Sequence, residues 1–457
     1  MATLTLASEG TTRAQRSIAA LCLTAGTLPL TDLGVMNVAV PSIATDLNLG
    51  PGQIKTLIAA YTLAFGVLLV PGGMLGDRYG RRRMLRIGLA LFGLTALGSA
   101  LAPGFDALLV ARSLQGIAAG LLAPQVAGLL QVVFTGQARA RALGAMGSSI
   151  AIATAVGPLI GGVLIGVFDQ PGGWRATFAW DLLALIVLAC SFALPEAPPP
   201  GGRRPDLLGT LGLSLTALCL LLPVVTHIDR TAIIWWSAAA VLIVALVGWE
   251  RHYQRSGHTP LLSADLVTNR AWVRGCLVIA SFLAASTTFP VMVSLFTQSQ
   301  LGFSALSAGL VMIPYAIGAA AGSTLAGRWV LRFGVRIPTA GLVLFGAGLA
   351  LALLIGMPSV ERVSPAWLIL LGVLGFGSGF VITSNQTLSY QGVPKSQASN
   401  ASGLLLTAQR LGSAFGTALA TSLFYAQGRG MSAALTLLAG FTVLAVVLTF
   451  ALGRDAE

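Results

Sequence analysis

Residues 73–85 read Gly73-Met74-Leu75-Gly76-Asp77-Arg78-Tyr79-Gly80-Arg81-Arg82-Arg83-Met84-Leu85. The stretch is a short polar knot between two long apolar runs. Gly76 and Gly80 let the backbone turn where a side chain would obstruct it. Asp77 is the one acid in a cluster of five close arginines, Arg78, Arg81, Arg82, Arg83 and Arg86. Such a cluster beside lipid belongs on the cytoplasmic face of a membrane. A loop that only fixed orientation would need neither the glycines nor the acid.

The composition around it agrees. Of 457 residues, 55% are hydrophobic and 9% charged, whereas a soluble domain is about 25% charged. Apolar runs recur at about the 20 residues that a bilayer-spanning helix needs. The short alternating segments of a transmembrane barrel do not stand out. The expectation is an all-α integral membrane protein. Its net charge of +12 invites a nucleic-acid reading, but the distribution argues against one. With helices assigned to the apolar runs, 20 of 27 Lys and Arg fall on the N-terminal side of the membrane. Lys55, Arg175, Arg230, Arg362 and Arg429 fall on the other side, and Arg112 and Arg410 lie inside helices. This is the positive-inside bias, and it predicts both termini in the cytoplasm.

Cys22, Cys190, Cys219 and Cys276 each sit in a different apolar run, which is neither a disulfide framework nor a metal spacing. The three histidines form no cluster, and no phosphate-binding loop is present. No cofactor and no metal are expected, and an enzyme is the least expected class. The basic, alanine- and glycine-rich composition points to a GC-rich bacterium, hence to its inner membrane.

In order, the predicted spans are about 17–41, 53–75, 84–102, 107–133, 139–167 and 175–194, a six-helix bundle within 1–194. Residues 195–206 are a Pro/Gly linker whose prolines end the helix and whose arginines mark the cytoplasm. Two inserted helices, about 207–225 and 231–248, lie within 207–250, and 251–273 is a basic cytoplasmic segment. A second six-helix bundle fills 274–457, for fourteen helices in all. Gly322, Gly327, Arg328 and Arg332-Phe333-Gly334-Val335-Arg336 echo the opening stretch, with Leu331 where an acid would complete the copy.

The spacing Gly-x-Leu-x-Asp-Arg-x-Gly-Arg-Arg-Arg-x-Leu closely resembles the loop between helices 2 and 3 of the major facilitator superfamily of transporters. Gly73, Asp77, Arg78, Gly80 and Arg81 match it, with Asp77 and Arg78 at the family's charge-relay pair. The resemblance implies two parallel six-helix halves around a central site, with this loop locking and releasing the inward-closed arrangement. Further on, Leu30-Thr31-Asp32-Leu33-Gly34-Val35-Met36-Asn37-Val38-Ala39-Val40-Pro41 resembles the helix 1 signature of the fourteen-helix drug:proton antiporters, with Asp32, Asn37 and Pro41 at matching positions. Ala111-Arg112-Ser113-Leu114-Gln115-Gly116 looks like the family's second motif. Gly157-Pro158-Leu159-Ile160-Gly161-Gly162 matches the helix 5 motif associated with antiporters rather than uptake symporters. Pro158 can bend the helix, and the glycines admit a close neighbour.

Only Asp32 and Asp181, of fifteen acids, fall inside predicted spans. A charged acid at mid-membrane is costly and should face a cavity or a partner. Asp32 is therefore read as the proton-coupling carboxyl; the alternative is a neutral acid bonded to a neighbouring helix. Arg112 keeps its proton and can bias a nearby carboxyl toward proton release; the alternatives are a clamp on backbone carbonyls or snorkelling to the outer interface. Asp181 departs from the Asn common in related antiporters, and reads either as a second titrating group or as an interfacial polar residue. Asn37, Gln115, Tyr315, Asn385, Gln386 and Arg410 are possible cavity residues, against a packing role for each. Gln409-Arg410-Leu411-Gly412 inverts the family's usual Arg-Gln order, which displaces Arg410 about 100° around its helix.

The resemblance thus implies a proton-coupled exporter of lipophilic, possibly cationic drugs or antibiotics, working by alternating access, as a monomer in the bilayer with protons and a small molecule as partners. An uptake symporter on the same fold, or a non-transporting receptor or scaffold, are the rival readings.

Overall fold

The structure, a computed structural model, is described over residues 12–168, 172–192, 206–226, 231–256, 266, 268–303, 305–355, 364–391, 393, 398–425 and 430–451. Among these residues there are sixteen α-helices and no strand. Helices α1 (Arg13–Asp46), α2 (Pro51–Tyr79), α3 (Arg81–Ala100), α4 (Phe105–Val133) and α5 (Gly136–Val167) lead into a 3-10 segment, Gly173–Ala179, and α6 (Leu183–Ser191). Helices α7 (Leu207–Thr226) and α8 (Ala232–Arg255) come next. The remainder comprises α9 (Arg270–Ser286), α10 (Thr288–Ser299), α11 (Ala305–Val311), α12 (Ile313–Phe333), α13 (Arg336–Leu354), α14 (Pro365–Ser389), α15 (Ala398–Tyr425) and α16 (Gly430–Ala451).

Eleven helical stretches among the described residues are long and apolar enough to cross a membrane. Three of them join neighbouring elements: Gly173–Ser191, Arg270–Ser299 and Ser307–Phe333. Fourteen were expected. The apolar parts of α5 and α7 are shorter, Val156–Val167 and Leu208–Pro223, and α15 carries Ser402, Thr407, Gln409 and Arg410 along its length. The first helix also runs beyond the expected 17–41. Thr12 accepts from the Gln15 backbone N–H while the Gln15 side chain accepts from the Thr12 N–H, a capping box that sets the start.

Local chemistry fixes the breaks. Gly80 separates α2 from α3 with φ +95, and Gly334 separates α12 from α13 with φ +55. Both lie in the region that favours glycine, at equivalent places in the stretch and its echo. Asn269 caps α9 and Ser364 caps α14, the latter followed by Pro365 at the first helical position.

The packing follows two groupings. Helix α2 lies on α4, α1 on α5, and α3 on α4. Likewise α12 lies on α14, α13 on α14, and α9 on α15 and α16. The groups meet where α5 packs on α12 and where α15 packs on α2 and α4. Helices α7 and α8 pack on each other, and α7 reaches α2 and α15. The Ser214 hydroxyl donates to the Val67 carbonyl (3.1 Å) and Thr210 to Met74 Sδ (2.5 Å), so the inserted pair leans on the helix that ends in the opening stretch. Of the linker 195–206 only Asp206 is described, and residues 257–265 and 267 of the basic segment lie outside the described ones.

Beyond the apolar part of α1, Asp46 ties the opposite end together. Its Oδ2 accepts from Trp174 Nε1 (2.8 Å) and Arg175 Nη1 (2.8 Å), while Arg175 Nη2 donates to the Ala102 carbonyl (3.0 Å). The Trp174 bond, then the Arg175 bond, holds the Asp46 carboxyl below the usual carboxylate range.

Candidate functional site

Three separate segments converge on one buried cluster. Asp32 lies midway along α1, Arg112 and Gln115 lie one turn apart on α4, and Asp181 comes from the turn between the 3-10 segment and α6. Their exposures are 2%, 1%, 0% and 2% respectively. Arg112 Nη1 donates to Asp32 Oδ1 (2.7 Å) and to Gln115 Oε1 (2.9 Å). Gln115 Nε2 donates to Asp181 Oδ2 (2.9 Å). The Asp32–Arg112 contact is an ion pair removed from both water and lipid.

The arginine is also boxed by aromatic rings. Its guanidinium lies 4.4 Å from the Tyr61 ring centroid and 5.8 Å from that of Phe178. The Tyr61 hydroxyl donates to the Pro29 carbonyl of α1 (3.1 Å), so the ring is fixed from behind. A cation desolvated over aromatic faces gains about 2 kcal/mol or more. Arg112 therefore neither snorkels nor clamps backbone carbonyls; a carboxylate and two rings hold it inside. Tyr61 and Phe178 did not stand out in the sequence, since an aromatic residue in an apolar run looks like ordinary core.

Asp181 also sits differently from the expected position two turns inside a continuous helix. Gly172, at φ +93, starts a tight 3-10 coil, and Trp180–Leu182 form a turn before α6 begins. The break aims Asp181 inward at Gln115. It is buried in the bundle and not placed at the interface.

The helix 5 motif stands directly behind Asp32. A Cβ on Gly157 would lie 2.7 Å from the Thr31 carbonyl oxygen and 2.9 Å from the Gly34 Cα. One on Gly161 would lie 3.1 Å from the Val35 carbonyl oxygen. Pro158 approaches Gly34, and Gly162 lies in the same helix, partly buried. The small face of α5 thus positions the turn of α1 that carries the acid. Asn37 is on α1, and its side chain is outside the described ones.

Within the opening stretch, Asp77 Oδ1 accepts from Arg81 Nη2 (2.9 Å) and Nε (3.3 Å). Arg78 lies instead over the Tyr79 ring at 4.9 Å. The recorded ion pair of Asp77 is thus with Arg81, one turn on, a spacing that a helix surface brings together. The Arg81 side chain lies against Gly128 of α4. Beside it Gln125 Nε2 donates to the Gly72 carbonyl (2.6 Å), and Gly76 leaves the room for that glutamine. Gln125 is a residue that sequence reading missed, though a glutamine amid an apolar run was a visible signal. Gly73 lies in the last turns of α2.

The other cavity positions divide. The Tyr315 hydroxyl donates to the Ser286 carbonyl (2.9 Å), and Asn385 Nδ2 donates to the Gly275 carbonyl (3.0 Å), so both pin neighbouring helices. Gln386 is buried with Oε1 unpartnered. Arg410 crosses to the other group of helices: its guanidinium lies 4.2 Å from the Phe65 ring centroid on α2, one turn beyond Tyr61. The displacement around α15 leaves it facing the interface.

The seam between the groups is polar. Ser323 donates to the Gly144 carbonyl (2.8 Å) and hydrogen-bonds Thr383. Ser148 donates to the Ala320 carbonyl (3.0 Å) and lies 3.2 Å from the Thr324 hydroxyl. Gln137 Nε2 donates to the Arg328 carbonyl (3.0 Å), and Gln131 Nε2 to the Ser402 hydroxyl (2.7 Å).

A fold of this kind, with a motif-bearing loop and a buried ionic cluster, has known counterparts. The Major Facilitator Superfamily model matches residues 22–262 and 275–457. The chain belongs to that superfamily. This facilitator is 31% identical to the probable actinorhodin transporter of Streptomyces coelicolor, over 87% of the chain and 70% of that protein. It is 32% identical to the multidrug efflux pump LfrA of Mycolicibacterium smegmatis, over 91% and 82%. It is also 32% identical to the cephamycin export protein CmcT of Amycolatopsis lactamdurans, over 87% and 83%. Among solved structures, the human organic anion transporter MFSD10 superposes with a TM-score of 0.69 at 18% identity, covering 95% of this chain and 99% of that one. The proton:xylose symporter XylE gives 0.68 at 18%, covering 95% and 94%. This facilitator is therefore a multi-pass, all-helical membrane transporter of small molecules, related to drug and antibiotic exporters, and is not an enzyme.

Proposed function

We propose that this facilitator is a proton-coupled antiporter that exports lipophilic, cationic compounds by alternating access, and that it belongs with the fourteen-helix drug:proton exporters. The observation that carries the reading is the buried network of Asp32, Arg112, Gln115 and Asp181. Ionisable groups at bilayer depth are expensive to maintain, and a receptor or scaffold has no need of them. Exchange of a proton for cargo does. Relatives named for efflux support the outward direction, and so does the Gly157-Pro158 motif against α1.

In this mechanism the acid cluster takes up a proton while it faces outward. The groups of helices then rearrange across the α5–α12 and α2–α15 contacts, and the proton leaves inward. A cation occupies the emptied site and is carried out. The proton gradient drives the cycle, with the membrane potential adding about 2.3 kcal/mol per charge moved per 100 mV. Counting α5, α7 and α15 with the eleven candidate spans gives fourteen, and an even number with basic inner loops puts both ends in the cytoplasm. The division into two six-helix bundles, a Pro/Gly linker and an inserted pair belongs to the same reading, as does a monomer acting in a bacterial inner membrane.

The test is substrate-dependent proton flux in proteoliposomes, comparing the parent with Asp32→Asn and Asp181→Asn. Flux lost in both variants, while both remain soluble and folded in detergent, is the expected result. Full coupling in Asp32→Asn would end the reading.

A further inference from the structure

Charge counting in the cluster goes one step beyond that reading. Arg112 supplies one positive charge and satisfies one oxygen of Asp32. Gln115 satisfies one oxygen of Asp181 with a neutral amide. The oxygen left over on each acid, Asp32 Oδ2 and Asp181 Oδ1, is buried and meets no donor. Two buried acids thus stand beside a single arginine, and that arginine's ion pair is with Asp32. A buried carboxylate charge without an ion-pair partner is costly, and a carboxyl avoids the cost by keeping its proton.

We propose that the two acids carry one proton, on Asp181, while Asp32 forms the ion pair with Arg112. Asp32 has the arginine at 2.7 Å and two rings around that arginine; Asp181 has an amide alone. The other titratable or charged groups that face the cluster are Tyr61 of α2, whose proton is committed to the Pro29 carbonyl, and Arg410 of α15, seated over Phe65. The step balances simply. The O–H bond of the Asp181 carboxyl breaks, the proton passes to water on the inner side, and the electron pair stays on Asp181. The cluster goes from neutral to a single negative charge, which suits a monovalent cation. This places the exchanged proton on Asp181 and sets one proton per cycle. Its role in transport rests on the antiport reading, but the proton's address is a property of the resting protein.

The experiment is an infrared pH titration of the purified full chain, with proton concentration as the only variable. Difference spectra of the parent minus Asp181→Asn should show one protonated-carboxyl stretch at neutral pH. Asp181→Glu should shift that band to the glutamic-acid position, and Asp32→Glu should leave it in place. A band that survives Asp181→Asn, moves with residue 32 or is absent from the parent overturns the assignment. The two glutamate variants decide the matter even where the asparagine variant does not fold. Proteoliposome flux is scored separately: a band as expected without proton-linked flux would defeat the antiport reading and leave the assignment standing.

Discussion

Arg112 is the residue on which the cluster's integrity turns. Removing one member of a buried ion pair strands the other, at about 3–5 kcal/mol, whereas removing both together can be nearly neutral. Arg112→Met should therefore lower the unfolding free energy by about that amount in detergent solution. The Asp32→Asn/Arg112→Met double variant should recover most of the loss. Asp46 makes the opposite, smaller case. Its folded value lies below the ordinary carboxylate value, so its contribution is present above about pH 4 and fades as pH falls through the folded value. A half-exposed pair of this kind contributes about 0–1 kcal/mol. Thermal melts should show the acid-side loss in the parent and not in Asp46→Asn. Asp32 and Arg112 stood out in the sequence because an ionisable residue in an apolar run is costly without a partner. Their companions Tyr61 and Phe178 were not, because only the crossing of α1, α2 and α4 turns two rings into a cage.

At the scale of the helix, the contact of α5 with α1 decides how firmly Asp32 is aimed. Gly157→Ala would press a methyl group between Thr31 and Gly34, an overpacking that costs about 1–3 kcal/mol, and should depress transport as α1 shifts. Gly166→Ala, further along the same helix, meets open space. It should leave transport intact and gain up to about 0.5–1 kcal/mol from helix propensity. Parallel unfolding and flux measurements on the two variants check the contrast. Helix positions were readable from run length and basic loops, and α2 and α4 lie close to the expected ranges. The break before α6 was not readable, because Trp174–Leu182 is as apolar as a helix and only Gly172 and Gly173 hint at the tighter coil. The ion pairing of the opening stretch was likewise half-visible. The acid was plain, but which of five arginines it meets depends on how α2 ends at Gly80.

For the molecule as a whole, α5 against α12 is the contact that alternating access must break. Ser148→Cys with Thr324→Cys, in a background with the exposed Cys190 replaced by serine, brings two thiols to hydroxyls now 3.2 Å apart. Oxidation should reduce flux to background, reductant should restore it, and neither single variant should respond; proteoliposome assays under both conditions test this. The seam's chemistry has a mechanical corollary. It is stitched by serine hydroxyls and glutamine amides donating to carbonyls, each worth about 0.5–1.5 kcal/mol net because water offers the same groups equivalent bonds. A greasy seam would resist wetting over its full area, at about 25 cal/mol per Å². This one can be unfastened bond by bond, with solvent taking each vacated place, so under the proposed antiport cycle the gate swings on a shallow slope that a single proton's worth of bias can tip.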